Sequence, residues 1–166
     1  MVKPGDSRYP CRVTAPALDL RDELDALTKS LDAAKIPYAV CGALALAIHG
    51  HPRATKAIDL IVDPTRLEAT KAVARTHRFN LEALPMTFSS SGITVHRLSR
   101  VAGSQILMLD LVLGDEPLSA VWATREQRQT SRGPVWVVSR QGLVTMKLAA
   151  GRPQDLADLA RLEGSS

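Results

Sequence analysis

Cysteine is nearly absent from this chain: among 166 residues there are two, Cys11 and Cys41. Two thiols in unrelated contexts make no disulfide framework, so a reducing cytoplasm is the expected compartment. Cysteine and histidine nowhere cluster with the spacing of zinc ligands, and no serine, histidine and aspartate stand in an order that suggests a triad. Apolar runs all fall short of the ~18–20 residues of a membrane span. Residues 1–16 carry prolines and charges where a signal peptide would carry an apolar core, and are expected to form an irregular arm. There is no internal repeat and no linker.

What is present suits one domain over residues 17–166. Hydrophobic residues make up 45% of the chain, enough for a real core, and charged residues an ordinary 23%. The net charge of +4 and pI near 9.4 are compatible with a nucleotide or RNA partner, though charge alone is weak evidence for one.

Leu20, Leu24, Leu27 and Leu31 recur at helical spacing and predict a helix over 17–35, ended by Ile36-Pro37. A short buried strand over 38–41 follows, then a small-residue helix over 43–49 closed by Gly50, a basic loop at 51–53 and a second strand over 57–62. Asp63 as N-cap and Pro64 at the first helical position open a helix reaching Arg78, with Leu67, Val73 and Ala74 inward. Residues 81–84 read as a short strand and the serine-rich 86–92 as a loop. Alternation predicts a strand over 93–98 with one wet face, a turn at 102–104 and an apolar strand over 105–113. A short helix over 118–123, a polar arginine-rich stretch over 124–132 and a strand over 135–138 come next. Ser139 caps a helix over 140–150 ended by Gly151, and Pro153 opens the last helix, with Leu156, Leu159, Ala160 and Leu162 as its apolar stripe. Helices and strands in this order argue for an α/β (mixed α+β) domain with a mixed central sheet flanked by helices.

The chemistry concentrates between Cys41 and Val62: strand, Gly42 turn, short helix, basic loop, then a strand carrying Asp59. Residues i and i+2 of a strand share a face, roughly 6.5–7 Å apart, so carboxylates at such positions reach toward the same metal pair. Nucleotidyl transfer needs metals that neutralise the triphosphate and activate the attacking hydroxyl, and magnesium suits the task because it takes oxygen ligands. A glycine turn leading into a helix offers backbone N–H groups to phosphate.

Taken in order, Gly42, His49-Gly50, Arg53, Thr55 and Asp59 resemble the active-site signature of the nucleotidyltransferases related to DNA polymerase beta. More narrowly, they look like the small bacterial group that includes the AbiEii-type toxins. The resemblance spans roughly 38–162. It implies a polymerase-beta-like nucleotidyltransferase fold that moves a nucleoside monophosphate from an NTP to a hydroxyl of RNA, often tRNA, or of a protein. It implies Mg2+ or Mn2+ as cofactor, a toxin–antitoxin setting with a cognate toxin or antitoxin as partner, and no membrane.

Residue by residue, the resemblance makes Asp59 and Asp110 metal ligands. Asp110 stands in the apolar run 106–113, where the alternative is pairing with an arginine. Gly42 and Ala43 would hold the triphosphate. Arg53 and Thr55 would touch phosphate or hold the loop. Lys147 would act as a point cation near the triphosphate, the alternative being a solvated helix lysine. Lys147 followed by Arg152, Asp155 and Asp158 matches a further family pattern, with the two aspartates read as structural or orienting groups. His49 is expected to have a structural role. Arg125, Arg128 and Arg132 suit nucleic acid or an exposed polar strand equally.

One ligand is missing. The family's Asp-x-Asp reads Ala57-Ile58-Asp59 here, and Asp63, six positions along, is too far away to replace the first carboxylate. Ala57, at that catalytic position, is expected to impair transfer. Two accounts fit: a substitution introduced into an ordinary enzyme, or a natural non-catalytic nucleotide- or RNA-binding partner protein.

Overall fold

The computed structural model describes residues 19–164; the expected arm over 1–16, with Cys11, lies outside them. In α1 (Leu20–Ala33), Leu24, Leu27 and Leu31 form the buried stripe, and the Asp19 carboxylate caps the helix by accepting from the Arg21 amide. The helix stops short of Lys35, whose φ of +57° is incompatible with another turn. Next come β1 (Tyr38–Cys41), α2 (Gly42–Ile48) and β2 (Ala57–Val62). Asp63 caps a 3-10 turn over Pro64–Arg66 that runs into α3 (Leu67–Thr76), where Ala74 is buried and Leu67 and Val73 pack partly against the core.

β3 (Leu81–Glu82) and β4 (Met86–Thr87) are two-residue strands on the edge of β5 (Thr94–Ala102). The stretch expected to be a loop over 86–92 therefore begins as a strand, because β5 supplies the pairing. β5 itself runs four residues past the expected end at 98, since β6 (Gln105–Leu113) pairs with it up to the Gly103-Ser104 turn. After α4 (Ser119–Ala123), the polar stretch forms β7 (Glu126–Thr130), the outer strand of a hairpin with β8 (Gly133–Val137). Its polarity is that of an exposed edge strand.

Two helices close the chain. Ser139 Oγ accepts from the Gly142 amide at the start of α5 (Arg140–Ala150), and Gly151 ends it in the left-handed conformation. α6 (Pro153–Glu163) corrects the expected stripe. Leu159 and Leu162 are buried, but Leu156 and Ala160 are exposed, and Asp155 and Asp158 take the inward face instead. Ion pairing described below is what lets two carboxylates displace apolar residues there.

The strands form one eight-stranded sheet in the order β3-β5-β6-β2-β1-β8-β7, with β4 also on β5. β2 runs parallel to β6 and β1 parallel to β8; the other pairs are antiparallel. Helices cover both faces, which is why the central strands are almost wholly apolar. Arg100 of β5 grips Glu23 of α1 through two hydrogen bonds of 2.6 and 2.9 Å. Side chains alternate along a strand, so Arg97, three residues earlier, faces the opposite side, toward α5 and α6. That side carries the site.

Candidate functional site

Register places four side chains in one row across the sheet. Cys41 of β1 pairs with Asp59 of β2, Asp59 with Asp110 of β6, and Asp110 with Arg97 of β5. This row floors a cleft of about 470 Å³, within the size range of small-ligand sites. Every residue singled out in the sequence for catalysis or nucleotide binding lines it: Gly42, Ala43, Arg53, Thr55, Ala57, Asp59, Asp110 and Lys147.

The floor holds two unlike carboxylates. Asp110, buried in its strand, is gripped by Arg97: Nε donates to Oδ1 at 2.7 Å and Nη2 to Oδ2 at 2.9 Å. This is the arginine-paired alternative for Asp110, in the two-pronged geometry that suits guanidinium and carboxylate. The pairing also raises the Arg97 pKa above its usual value. Asp59 has no such partner. Burial pushes its pKa up to about 6, and the negative charge of Asp110 beside it adds to the rise, outweighing the more distant Lys147, Arg152 and Arg97.

Gly42 is bound to Asp59 by sterics. Its φ is +64°, and a Cβ there would stand 2.3 Å from Asp59 Oδ2 and 2.9 Å from Asp59 Cβ. No other residue type fits this turn while Asp59 keeps its place. Cys41, behind the same turn, is fully buried, and burial pushes its thiol pKa well up, so it is inert packing.

The roof is an ionic network linking the basic loop, α5 and α6. Lys147, only 5% exposed, donates from Nζ to Asp158 Oδ2 at 2.8 Å and to Asp155 Oδ1 at 3.3 Å. Arg53 reaches Asp158 with two bonds of 2.9 Å, and Gln154 adds a third donor at 3.0 Å. The Arg152 side chain and amide both bond Asp155, at 2.8 and 3.1 Å. Burial alone would raise the Asp158 pKa, but these donors outweigh it and hold the group at about 2; Asp155 is lowered in the same way. Lys147 is thus no solvated lysine, and Asp155 and Asp158 orient the cations as expected.

The remaining residues fall into place around this frame. Thr55 Oγ1 lies 3.3 Å from the Ala57 amide, whose proton it accepts, and so shapes the loop before β2. His49 Nε2 bonds the Val138 carbonyl at 2.9 Å, tying the end of α2 to the strand end beside it. The three arginines with a possible nucleic-acid role are engaged internally. Arg125 lies 3.9 Å above the Trp122 ring, Arg128 pairs with Glu126 at 3.0 Å, and Arg132 pairs with Asp19 and Asp22 of the α1 start. Two residues not anticipated from sequence also line the cleft: Met86 and Phe88, the latter 50% exposed, form an apolar wall beside the charged floor.

Several solved structures share this architecture. A candidate nucleotidyltransferase from Thermotoga maritima aligns over 90% of this chain and 97% of its own, with a TM-score of 0.57 and 15% identity. ANT(2")-Ia, solved with adenylyl-2"-tobramycin, aligns over 84% of each chain with a TM-score of 0.55 and 14% identity. The fold is that of the nucleotidyltransferases. The lincosamide adenylyltransferase LnuA, solved with lincomycin, superposes on it too, over 87% of this chain and 97% of its own, at a TM-score of 0.56 and 11% identity. No family model matches the chain, and no curated protein matches it by sequence.

Enzymes of the nucleotidyltransferase fold generally use divalent metals, and the donor set here tests poorly for a metal pair. Ala57 leaves one ligand position without a carboxylate, and both oxygens of Asp110 are committed to Arg97. Only Asp59 is free. Among the described residues, no group of three His, Cys, Asp or Glu is placed to hold a metal ion. Nor, among them, is any helix long and apolar enough to cross a membrane.

Proposed function

We propose that the cleft binds a nucleoside triphosphate, and that the chain is a nucleotidyltransferase whose transfer step is held back by Ala57. The observation that carries this reading is the single cleft in which the glycine turn, the sheet-floor carboxylates and the cationic roof meet. The floor and roof are polar. The Met86 and Phe88 wall is apolar and suits a nucleobase or the apolar face of an acceptor. Because the residues do not make a metal pair, what this chain does best as it stands is binding. The alternative of a non-catalytic nucleotide- or RNA-binding partner is favoured by one specific observation, the Arg97–Asp110 pair.

The acceptor would be a hydroxyl on RNA, tRNA included, or on a protein; the antibiotics named with ANT(2")-Ia and LnuA add small-molecule hydroxyls to the range. A cytoplasmic site of action rests on the scarcity of cysteine; the AbiEii-like assignment and the toxin–antitoxin setting rest on the resemblance over 38–162. So does the use of Mg2+ or Mn2+ by an active form.

The test is incorporation of label from each of the four NTPs, with Mg2+ or Mn2+, into total RNA, total protein and aminoglycoside or lincosamide acceptors. The chain would be run beside its Ala57→Asp form, with NTP binding measured for both. Binding in both and transfer in the substituted form only is the expected result. Binding without transfer in either selects the partner-protein alternative, and absence of binding in both removes the reading.

A further inference from the structure

We propose that Arg97 is the resident cation of this cleft, standing on Asp110 where a divalent metal would otherwise sit, and that the chain binds nucleoside polyphosphates without divalent metal. The proposal deepens the reading above and rests on it. Its first support is geometric. The Arg97 guanidinium spends two N–H groups on Asp110, at 2.7 and 2.9 Å, and a guanidinium has five. The three that remain have somewhere to point, because the Arg97 side chain is 37% exposed and lines the cleft.

The second support is the charge of the lining. A site that holds a metal pair is rich in acids, whose excess negative charge the metals answer. This cleft is not: Arg53, Lys56, Arg97, Lys147 and Arg152 line it against Asp59, Asp110 and Asp155, with Asp158 buried behind the lining. Lys147 and Arg53 direct their charge mainly to Asp158. Lys56 is exposed, and Arg97 and Arg152, though paired with Asp110 and Asp155, keep further N–H groups toward open space, the Arg152 side chain being 74% exposed. A lining with more cations than anions attracts a polyphosphate directly, and arginine is the side chain best shaped to bridge phosphate oxygens.

The third support is the coincidence of two changes in one row. Ala57 removes a metal ligand, and Arg97 takes both oxygens of the next one. Either alone would weaken a metal pair; together they replace its charge with a covalently anchored one.

The experiment is calorimetric titration of the full chain with ATP and with inorganic triphosphate, in EDTA and in Mg2+. Dissociation constants within about threefold of each other in the two buffers are expected, and Arg97→Gln should weaken binding in EDTA by tenfold or more. Since Arg97→Gln leaves Asp110 buried without its partner, folding is checked by circular dichroism, and Asp110→Asn serves as the independent variant. If Asp110 were a metal ligand, Asp110→Asn would weaken binding in Mg2+. If Arg97 is the resident cation, it frees the guanidinium and tightens binding in EDTA severalfold. Binding that needs Mg2+, or weakening by Asp110→Asn, overturns the proposal and leaves the nucleotide-binding reading standing. No binding in either buffer overturns that reading itself.

Discussion

Asp59 lines the floor of the cleft and Asp158 lies buried in the roof behind its lining, both drawn out of water, yet they end with opposite charge habits. Asp59, on the sheet floor, is pushed up to about 6; Asp158, in the roof, is held at about 2. Burial acts in the same direction on both. The difference is donors. Arg53, Lys147 and Gln154 bond Asp158, whereas no donor among the described residues bonds Asp59, and its nearest charged neighbour across the strand is another carboxylate. In the roof, Asp158 is held ionised at all ordinary pH. The floor keeps one carboxylate paired with an arginine and one without a partner, which is the pattern expected when stability is given up at a binding site.

The comparison breaks most violently at Asp158. Replacing it with Asn leaves Lys147 buried without its nearest partner and strips Arg53 of its grip, at a cost of about 3–5 kcal/mol. Urea denaturation measures this, and a loss under 1 kcal/mol would show that the roof network is ornamental.

Gly42→Ala probes the floor. The positive φ costs on the order of 1–2 kcal/mol, and the overlap with Asp59 adds to that. In an Asp59→Gly background, which removes the Cβ as well as the carboxylate, the steric part disappears, so the substitution at Gly42 should cost only about 1–2 kcal/mol there. Equal costs in the two backgrounds would mean that Asp59 does not press on the turn.

Asp59→Asn gives the smallest effect and the sharpest contrast, because it is expected to stabilise. A carboxyl whose folded pKa lies above its unfolded value favours folding when protonated, so wild-type stability falls as pH rises from about 4 to about 6. Asp158 works in the other sense: its contribution is full above about pH 4 and is lost as pH falls toward 2. Asn at position 59 removes the first limb and spares the second, giving about 1–2 kcal/mol more stability at pH 8 and little change at pH 4. Denaturation curves at pH 3, 4, 6 and 8 separate the two limbs.

Local signals in the sequence carried much of this. The bounds of β1, β6 and α5 follow from apolar runs closed by a turn, a cap or a glycine, and so does the capped start of the segment at Asp63-Pro64. β4 was illegible, and β7 was legible only as one of two readings, because a two-residue strand and a polar edge strand are made by their neighbours rather than by their own residues. In α6 the buried aspartates overrode the leucine pattern, since partners that arrive from residue 53 and residue 147 lie outside any local window. Arg97 was missed for the same reason, although a signal existed. Arg97 and Asp110 lie at equal distances either side of the Gly103-Ser104 turn, which sets them opposite each other once the hairpin is granted. An arginine on the same face as Ile93 and Val95, both buried, wants a carboxylate, and the apolar run of β6 contains one.

The bond from Arg53 to Asp158 joins residues 105 positions apart. Closing so long a loop costs chain entropy that only the sheet folded between its ends offsets. Asp158 therefore reports on the whole fold: the roof closes only over a finished floor.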